Sequence, residues 1–232
     1  MPKVSRAQEC SDFRTIALIS YASKILFHLI KNRITPVIER QLGESQRGFR
    51  KGKDTKGAIF QLRMVSEMVF QMNTEKEIPE GKTENKERKI YLCFVDYQKS
   101  FDRVKHDKLA EVLERVGVPD LERRLILNLY LRQHASVRWN GEVSRGVRVE
   151  SGVGQGCIIS PLLFNLYSEF MMKEAMEGIK FNGVNITDLR YADDAVLVAD
   201  KRKKMQKMVD SLNDTCIGPF HIEWKSMLKR RK

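Results

Sequence analysis

The sequence predicts an α+β fold in which helices pack on one face of an antiparallel sheet. Apolar residues recur at helical spacing in several segments, and short β-branched and aromatic runs stand between these segments without strict alternation. The chain has 232 residues, of which 42% are hydrophobic and 31% are charged. This composition predicts a globular, core-forming protein and not a disordered tail.

Six segments have the apolar spacing or the start and stop signals of helices. Pro36 is expected to kink the first of them, because proline cannot donate the helical hydrogen bond. Helices are predicted over residues 25–38, from Asp54 or Thr55 onward, over 106–116, over 121–134, from Pro161 onward and over 203–216.

The sequence predicts strands in three segments. The run IYLCFVD is rich in β-branched and aromatic residues and predicts a buried strand that ends at Asp96. The pair Asn140-Gly141 stands between two short runs and predicts a hairpin. Residues 179–200 predict strand, turn, strand, tight turn and strand, with two aspartates at the second turn.

Two polar segments separate these elements. Residues 73–89 are nearly devoid of apolar side chains, so they predict an exposed, mobile connection and the best domain boundary. Residues 43–55 (GESQRGFRKGKDT) are interrupted by glycines and rich in cations, and they predict an ordered loop.

The chain is strongly basic, with a net charge of +12 and an isoelectric point near 9.6. Its field should attract polyanions, nucleic acid first, although the basic runs at 201–204 and 229–232 are equally compatible with solvated surfaces. The four cysteines are scattered, so neither a disulfide framework nor a zinc site is expected, which fits an intracellular setting. No apolar stretch is long enough to span a bilayer, and neither secretion nor membrane insertion is expected.

Three carboxylates end or interrupt apolar strands: Asp96, and the pair Asp193 and Asp194. A charge beside buried strands is costly unless something neutralises it. Two Mg²⁺ ions would do so, because magnesium prefers oxygen ligands and a pair of such ions can clamp an in-line phosphoryl displacement. Asp102 lies past the strand and is expected only to begin a turn or helix.

Five strings then resemble, in order, the motifs of one enzyme family. FVDYQKSFD, GVGQGCIISPLLFNLY and YADD are similar to the three catalytic motifs of reverse transcriptases. FRTIALISYASKIL and QRGFRKGKDT resemble the two finger motifs of non-LTR retrotransposon and group II intron enzymes. The match covers nearly the whole chain, which resembles the reverse transcriptase domain of a non-LTR retrotransposon polyprotein.

The resemblance implies the fingers and palm of a right-hand polymerase. Residues 1–88 would form the fingers and 89–232 the palm, with about 120–150 returning to the fingers. The family's thumb and N-terminal endonuclease are expected to be absent from this chain and to belong to a larger polyprotein.

The resemblance also implies roles for individual residues. Asp96 and Asp193 would be the principal metal ligands, Asp194 would complete the acidic cluster, and the backbone carbonyl of Tyr97 would be a further ligand. Two Mg²⁺ ions are implied, with Mn²⁺ as a substitute. Nucleotide binding is implied for Phe101 and Gln155 at the sugar, Gly156 beneath it, Arg14 and Lys24 at the triphosphate and Lys225 at the pyrophosphate, and nucleic-acid binding for Arg50 and Lys53.

The function implied is an RNA-directed DNA polymerase that takes an RNA template, a DNA primer and dNTPs, in the nucleus or the cytoplasm. A catalytically silent nucleic-acid-binding remnant is the alternative. An RNA-dependent RNA polymerase is disfavoured by Phe101, where such enzymes tend to carry an aspartate, and by YADD in place of GDD. Phe101 is otherwise expected to be a core anchor at the exit of the strand.

Overall fold

The computed structural model describes residues 18–74, 89–97, 99–175, 179–181, 184–215 and 220–227. All six predicted helices are confirmed within these ranges, and a short 3₁₀ helix covers Ser100–Arg103. The helices are α1 (Tyr21–Glu39), α2 (Thr55–Thr74), α3 (His106–Arg115), α4 (Asp120–Leu131), α5 (Ser160–Ala175) and α6 (Arg202–Thr215). The strands are β1 (Ile90–Tyr97), β2 (His134–Ala135), β3 (Arg138–Trp139), β4 (Glu142–Val143), β5 (Val147–Arg148), β6 (Ile179–Phe181), β7 (Val184–Ile186), β8 (Asp188–Tyr191), β9 (Asp194–Ala199) and β10 (Phe220–Met227).

The packing of these elements divides the chain into two compact units. The first contains Met1–Leu42 and Lys99–Ser168, and the second contains Gly43–Gln98 and Glu169–Lys232. The predicted boundaries of fingers and palm stay a prediction, because each unit draws residues from both of them.

The second unit is built on a four-stranded antiparallel sheet with the order β10-β1-β9-β8. Cys93 and Val95 of β1 lie on one face, in a core shared with α6. Leu92 of β1 and Val198 of β9 lie on the other face and pack against Val65 of α2. The prediction that helices cover one face is therefore incomplete: Leu92 and Val198 are fully buried, and they require the apolar cover that α2 provides.

The first unit is mainly helical. Helix α1 and helix α3 both contact α4, and Arg33 of α1 forms an ion pair of 2.9 Å with the buried Glu122 of α4. Asn140 and Gly141 have φ angles of 47° and 86° between β3 and β4. Positive φ at both central residues is the geometry that Asn-Gly favours in a two-residue hairpin, so the predicted hairpin is confirmed.

The structure contains a strand that the sequence analysis does not predict. Strand β10 was not predicted, and it pairs along its whole length with β1. The polar connection at 73–89 lies almost wholly outside the described residues, since α2 extends to Thr74 and the description resumes at Lys89. Within the described ranges, no helix combines the length and apolar character needed to cross a membrane.

Candidate active site

The sheet of the second unit brings two of the three predicted carboxylates together. Asp96 near the end of β1 is the direct cross-strand partner of Asp194 at the start of β9. Directly paired residues of antiparallel strands project from the same face, so both carboxylates lie on one side of the sheet. Asp193 immediately precedes Asp194 in the turn, and Tyr97 follows Asp96 as the last residue of β1.

The turn that carries the aspartate pair is tight and strained. Tyr191 of β8 pairs directly with Asp194 of β9, so Ala192 and Asp193 alone connect the two strands. Ala192 has a φ of 58°, in the left-handed region that a residue with a Cβ rarely adopts. Such a conformation costs roughly 1–3 kcal/mol and persists only where the surrounding structure holds it.

The electrostatics of this site fit a cation. Partial burial, and then the charges of Asp193 and Asp96, raise the pKa of Asp194 above its usual range. The carboxylates are thus close enough to repel one another, and a bound cation would relieve that repulsion. Among the described residues, no group of three or more His, Cys, Asp or Glu side chains is arranged so that it could hold a metal ion. Magnesium does not require one, because it commonly takes one or two carboxylates together with waters and substrate phosphates.

An apolar cavity of about 390 Å³ opens beside the two paired aspartates. Asp96, Asp194 and Tyr191 line it at one side, and Ile59, Leu62 and Phe94 are among the apolar residues that line the rest. Both aspartates are exposed, so a cation can reach them from solvent beside this cavity.

The glycine-rich loop predicted to contact the nucleotide is held by the segment that follows β1. In the first unit, the Gly152 N–H donates to the Val104 carbonyl at 2.8 Å, and the Val153 N–H donates to the Phe101 carbonyl at 2.7 Å. Gly152 has a φ of 97°, and a Cβ placed there would lie 2.9 Å from the backbone of Asp102. Only glycine fits this approach, so the two motifs pack backbone to backbone.

Gln155 and Phe101 are both placed by this packing. Cys157 N–H donates to the Gly154 carbonyl at 3.1 Å, and Gly156 has a φ of 97°, so a tight turn presents the half-buried Gln155 at its corner. The ring of Phe101 stacks on Phe164 of α5, with ring centres 4.6 Å apart. Phe101 is thus anchored, as the core-packing expectation required, and its anchoring also fixes the position of the ring.

The structure describes the three cations predicted to contact the nucleotide's phosphates to different extents. Lys24 is exposed on α1, with its Nζ 5.2 Å from the ring centre of Tyr21. Lys225 is described by its backbone, which lies opposite Leu92 in the pairing of β10 with β1. Arg14 lies outside the described residues.

The two predicted nucleic-acid-binding cations lie in the ordered loop of the second unit. One nitrogen of Arg50 donates to the carbonyls of Gly43 at 2.7 Å and Gln46 at 3.0 Å, which ties that nitrogen to the loop itself. Lys53 forms an ion pair of 2.6 Å with Glu44 and lowers the pKa of that carboxyl group. The nucleic-acid roles of both cations stay predictions.

The sequence analysis does not identify the residues that support the turn between β8 and β9. Arg190, immediately before Tyr191, is buried and forms ion pairs of 2.6 Å with Glu169 of α5 and Asp188 of β8. Gln46 of the ordered loop is fully buried and contacts the turn. No local pattern in the QRG sequence of that loop indicates this contact.

Comparison with known proteins places this geometry in a family. The profile described as Reverse transcriptase (RNA-dependent DNA polymerase) matches residues 1–219. The Retrovirus-related Pol polyprotein from type-1 retrotransposable element R2 of Nasonia vitripennis is 26% identical over 89% of this chain and 19% of its own length. The RNA-directed DNA polymerase from mobile element jockey of Drosophila funebris is 28% identical over 97% of this chain and 23% of its own length. The chain thus spans about a fifth of the length of these relatives.

Solved structures agree on the fold. Telomerase from Candida Tropicalis, in complex with a fragment of telomeric RNA, superposes with a TM-score of 0.62 at 12% identity, over 89% of this chain and 34% of that chain. The apo telomerase truncated from its C-terminal domain superposes with a TM-score of 0.57 at 12% identity, over 93% and 46%. The predicted α+β polymerase fold and the resemblance to non-LTR retrotransposon enzymes are confirmed, and the chain belongs to the reverse transcriptase (RNA-dependent DNA polymerase) family.

Proposed function

We propose that this chain is the catalytic core of an RNA-directed DNA polymerase that adds dNTPs to a DNA primer on an RNA template. The observation that carries the proposal is the direct pairing of Asp96 with Asp194, with Asp193 in the adjoining turn. This arrangement concentrates negative charge at one end of the sheet, where family membership leads us to place the reaction.

Asp96, Asp193, Asp194 and the carbonyl of Tyr97 would hold two Mg²⁺ ions, or Mn²⁺ in their place. When bound, these ions would activate the primer hydroxyl and neutralise the pyrophosphate leaving group. The work of the protein is then positioning and electrostatics, because no side chain attacks the nucleotide.

The loop that carries Gln155 supports nucleotide selection in this proposal. The amide of Gln155 has two donors and an acceptor to offer a sugar or base edge. The ring of Phe101 offers no hydrogen bond and, held by Phe164, would oppose a 2′-hydroxyl by its bulk. The enzyme would thereby favour deoxyribonucleotides.

The net positive charge of the chain supports nucleic acids as its partners. A net charge of +12 favours binding to phosphate backbones of any sequence, with an affinity that falls steeply as salt rises. Arg50 and Lys53 would join this contact, whereas Arg14 and Lys24 would hold the triphosphate of the nucleotide and Lys225 its pyrophosphate. Sequence preference is not expected from such contacts.

Primer extension on a homopolymer RNA template with dNTPs and Mg²⁺ tests the proposal. Asp193→Asn should abolish extension, whereas Asp214→Asn, which removes the same charge from an exposed position on α6, should leave it unchanged. Extension by the Asp193→Asn variant at the wild-type rate would refute the assigned site. Salt-sensitive RNA binding without any extension by the wild-type chain would favour the silent nucleic-acid-binding alternative.

A further inference from the structure

The strained turn beside the aspartate pair is hydrogen-bonded by one buried side chain from the ordered loop. The Ala192 N–H donates to Oε1 of Gln46 at 3.1 Å, and Nε2 of Gln46 donates to the Ala192 carbonyl at 3.3 Å. Gln46 is 0% exposed and lies 146 residues from Ala192 in the sequence. A single amide thus satisfies both backbone polar groups of the residue with the left-handed φ.

The segment around Gln46 is itself aligned with β8. The Arg190 N–H donates to the Ser45 carbonyl at 2.8 Å, and the Arg47 N–H donates to the Arg190 carbonyl at 2.9 Å. Gln46 and Arg190 therefore form a parallel bridge at the edge of the sheet. This pairing aims the Gln46 side chain at the turn two residues beyond Arg190.

Gly48 allows the approach. Its N–H donates to Oε1 of Gln46 at 2.9 Å, and this bond orients the amide. A Cβ at Gly48 would lie 2.1 Å from the nitrogen and 2.7 Å from the Cα of Ala192. The loop and the turn are thus in backbone contact, with no room for any side chain between them.

We propose that Gln46 is a positioning residue for divalent-metal binding: by holding Ala192 it keeps the turn in the conformation that presents Asp193 and Asp194 beside Asp96. The inference rests on the proposed function, since it concerns the metal site of that reaction. Gln46 touches no reacting atom in this role and acts through the backbone of Ala192.

Mn²⁺ binding by isothermal titration tests the proposal without requiring polymerase activity. Gln46→Met keeps the length of the side chain and removes its hydrogen bonds. Gln61→Met is the matched control, because Gln61 accepts one hydrogen bond from Arg47 in the same unit and does not contact the turn. We expect Gln46→Met to weaken Mn²⁺ binding roughly 10–100-fold, as does the loss of other residues that orient a metal ligand without touching the metal, and Gln61→Met to leave it within about twofold.

Ala192→Gly in the Gln46→Met background should restore part of the affinity, because glycine adopts a positive φ without strain. If Gln46→Met does not fold, Gln46→Asn, which keeps the amide but shortens its reach by one methylene group, carries the same expectation.

The outcomes separate the two proposals. Wild-type protein that binds no Mn²⁺ would overturn the metal site and the role of Gln46 together. Wild-type binding that Gln46→Met leaves intact, or that Gln61→Met weakens equally, would overturn the positioning role alone. A double variant that binds no more tightly than Gln46→Met would overturn the route through Ala192.

Discussion

Replacing Gly152 by alanine tests how the glycine-rich loop that carries Gln155 is held. Gly152 has a φ of 97°, and its Cβ would lie 2.9 Å from both the Cα and the carbonyl oxygen of Asp102 and 3.0 Å from the carbonyl carbon. Favourable contacts between carbon atoms lie at about 3.5–4.0 Å. All three neighbours are backbone atoms that cannot rotate away, so the loop itself has to shift.

The expected loss in the free energy of unfolding follows from the interactions that this shift disrupts. A Cβ in the left-handed region costs roughly 1–2 kcal/mol. Movement of the loop also weakens two hydrogen bonds of 2.8 Å, from the Gly152 N–H to the Val104 carbonyl and from the His106 ring to the Gly152 carbonyl. Each contributes about 1 kcal/mol, so we expect Gly152→Ala to lower the free energy of unfolding by about 3–4 kcal/mol.

Gly117→Ala is the matched control. Gly117 has a φ of 76°, but a Cβ there would meet no heavy atom within 4 Å. Its substitution should therefore cost only the backbone strain, roughly 1–2 kcal/mol. Urea unfolding followed by circular dichroism measures both variants. If the two losses agree within about 0.5 kcal/mol, the backbone contact between the two motifs does not stabilise the loop and the argument is refuted.

Three further outcomes are expected. Mg²⁺ should raise the melting temperature, and the increase should grow as pH rises. Because the pKa of Asp194 is raised in the folded protein, the metal-free folded state keeps a proton that the unfolded chain has lost; as pH rises between the two pKa values, the metal-free protein loses stability and more of Asp194 becomes the carboxylate that binds metal. A thermal shift that is the same at all pH values would contradict this. Phe101→Val should lower the selectivity for dNTPs over rNTPs by roughly one to two orders of magnitude, measured by steady-state kinetics, and equal discrimination by both enzymes would remove Phe101 as the gate. Arg190→Met should cost roughly 3–5 kcal/mol in urea unfolding, because Glu169 and Asp188 lose their buried countercharge, and a loss below about 1 kcal/mol would show that the ion pairs are not needed.

Local chemistry allowed much of this protein to be predicted from its sequence. The Asn140-Gly141 hairpin depends on two adjacent residues that tolerate positive φ, and the helix that starts near Pro161 depends on neighbouring residues only. Asp96 and the aspartate pair were identifiable because each charge interrupts an apolar strand, and strands of a common sheet then bring them together.

Other features required the folded chain. Strand β10 has the period-2 alternation of a strand, with Phe220, Ile222 and Trp224 separated by polar residues, but only its pairing along the whole of β1 shows which edge of the sheet it occupies. The cover of α2 over Leu92 depends on how a helix from a distant segment packs, which no local pattern states.

The sequence is sufficient to indicate the family, the three candidate metal-binding carboxylates and most of the helices and strands, since these depend on residue types at short spacing. How the turn between β8 and β9 is held depends on the tertiary structure alone. Gln46 and Ala192 are 146 residues apart, and nothing in the residues next to Gln46 indicates that its side chain contacts a turn elsewhere in the chain. Only the parallel pairing of Gln46 with Arg190 brings that amide within hydrogen-bonding distance of Ala192, because long-range backbone geometry decides which buried polar groups meet.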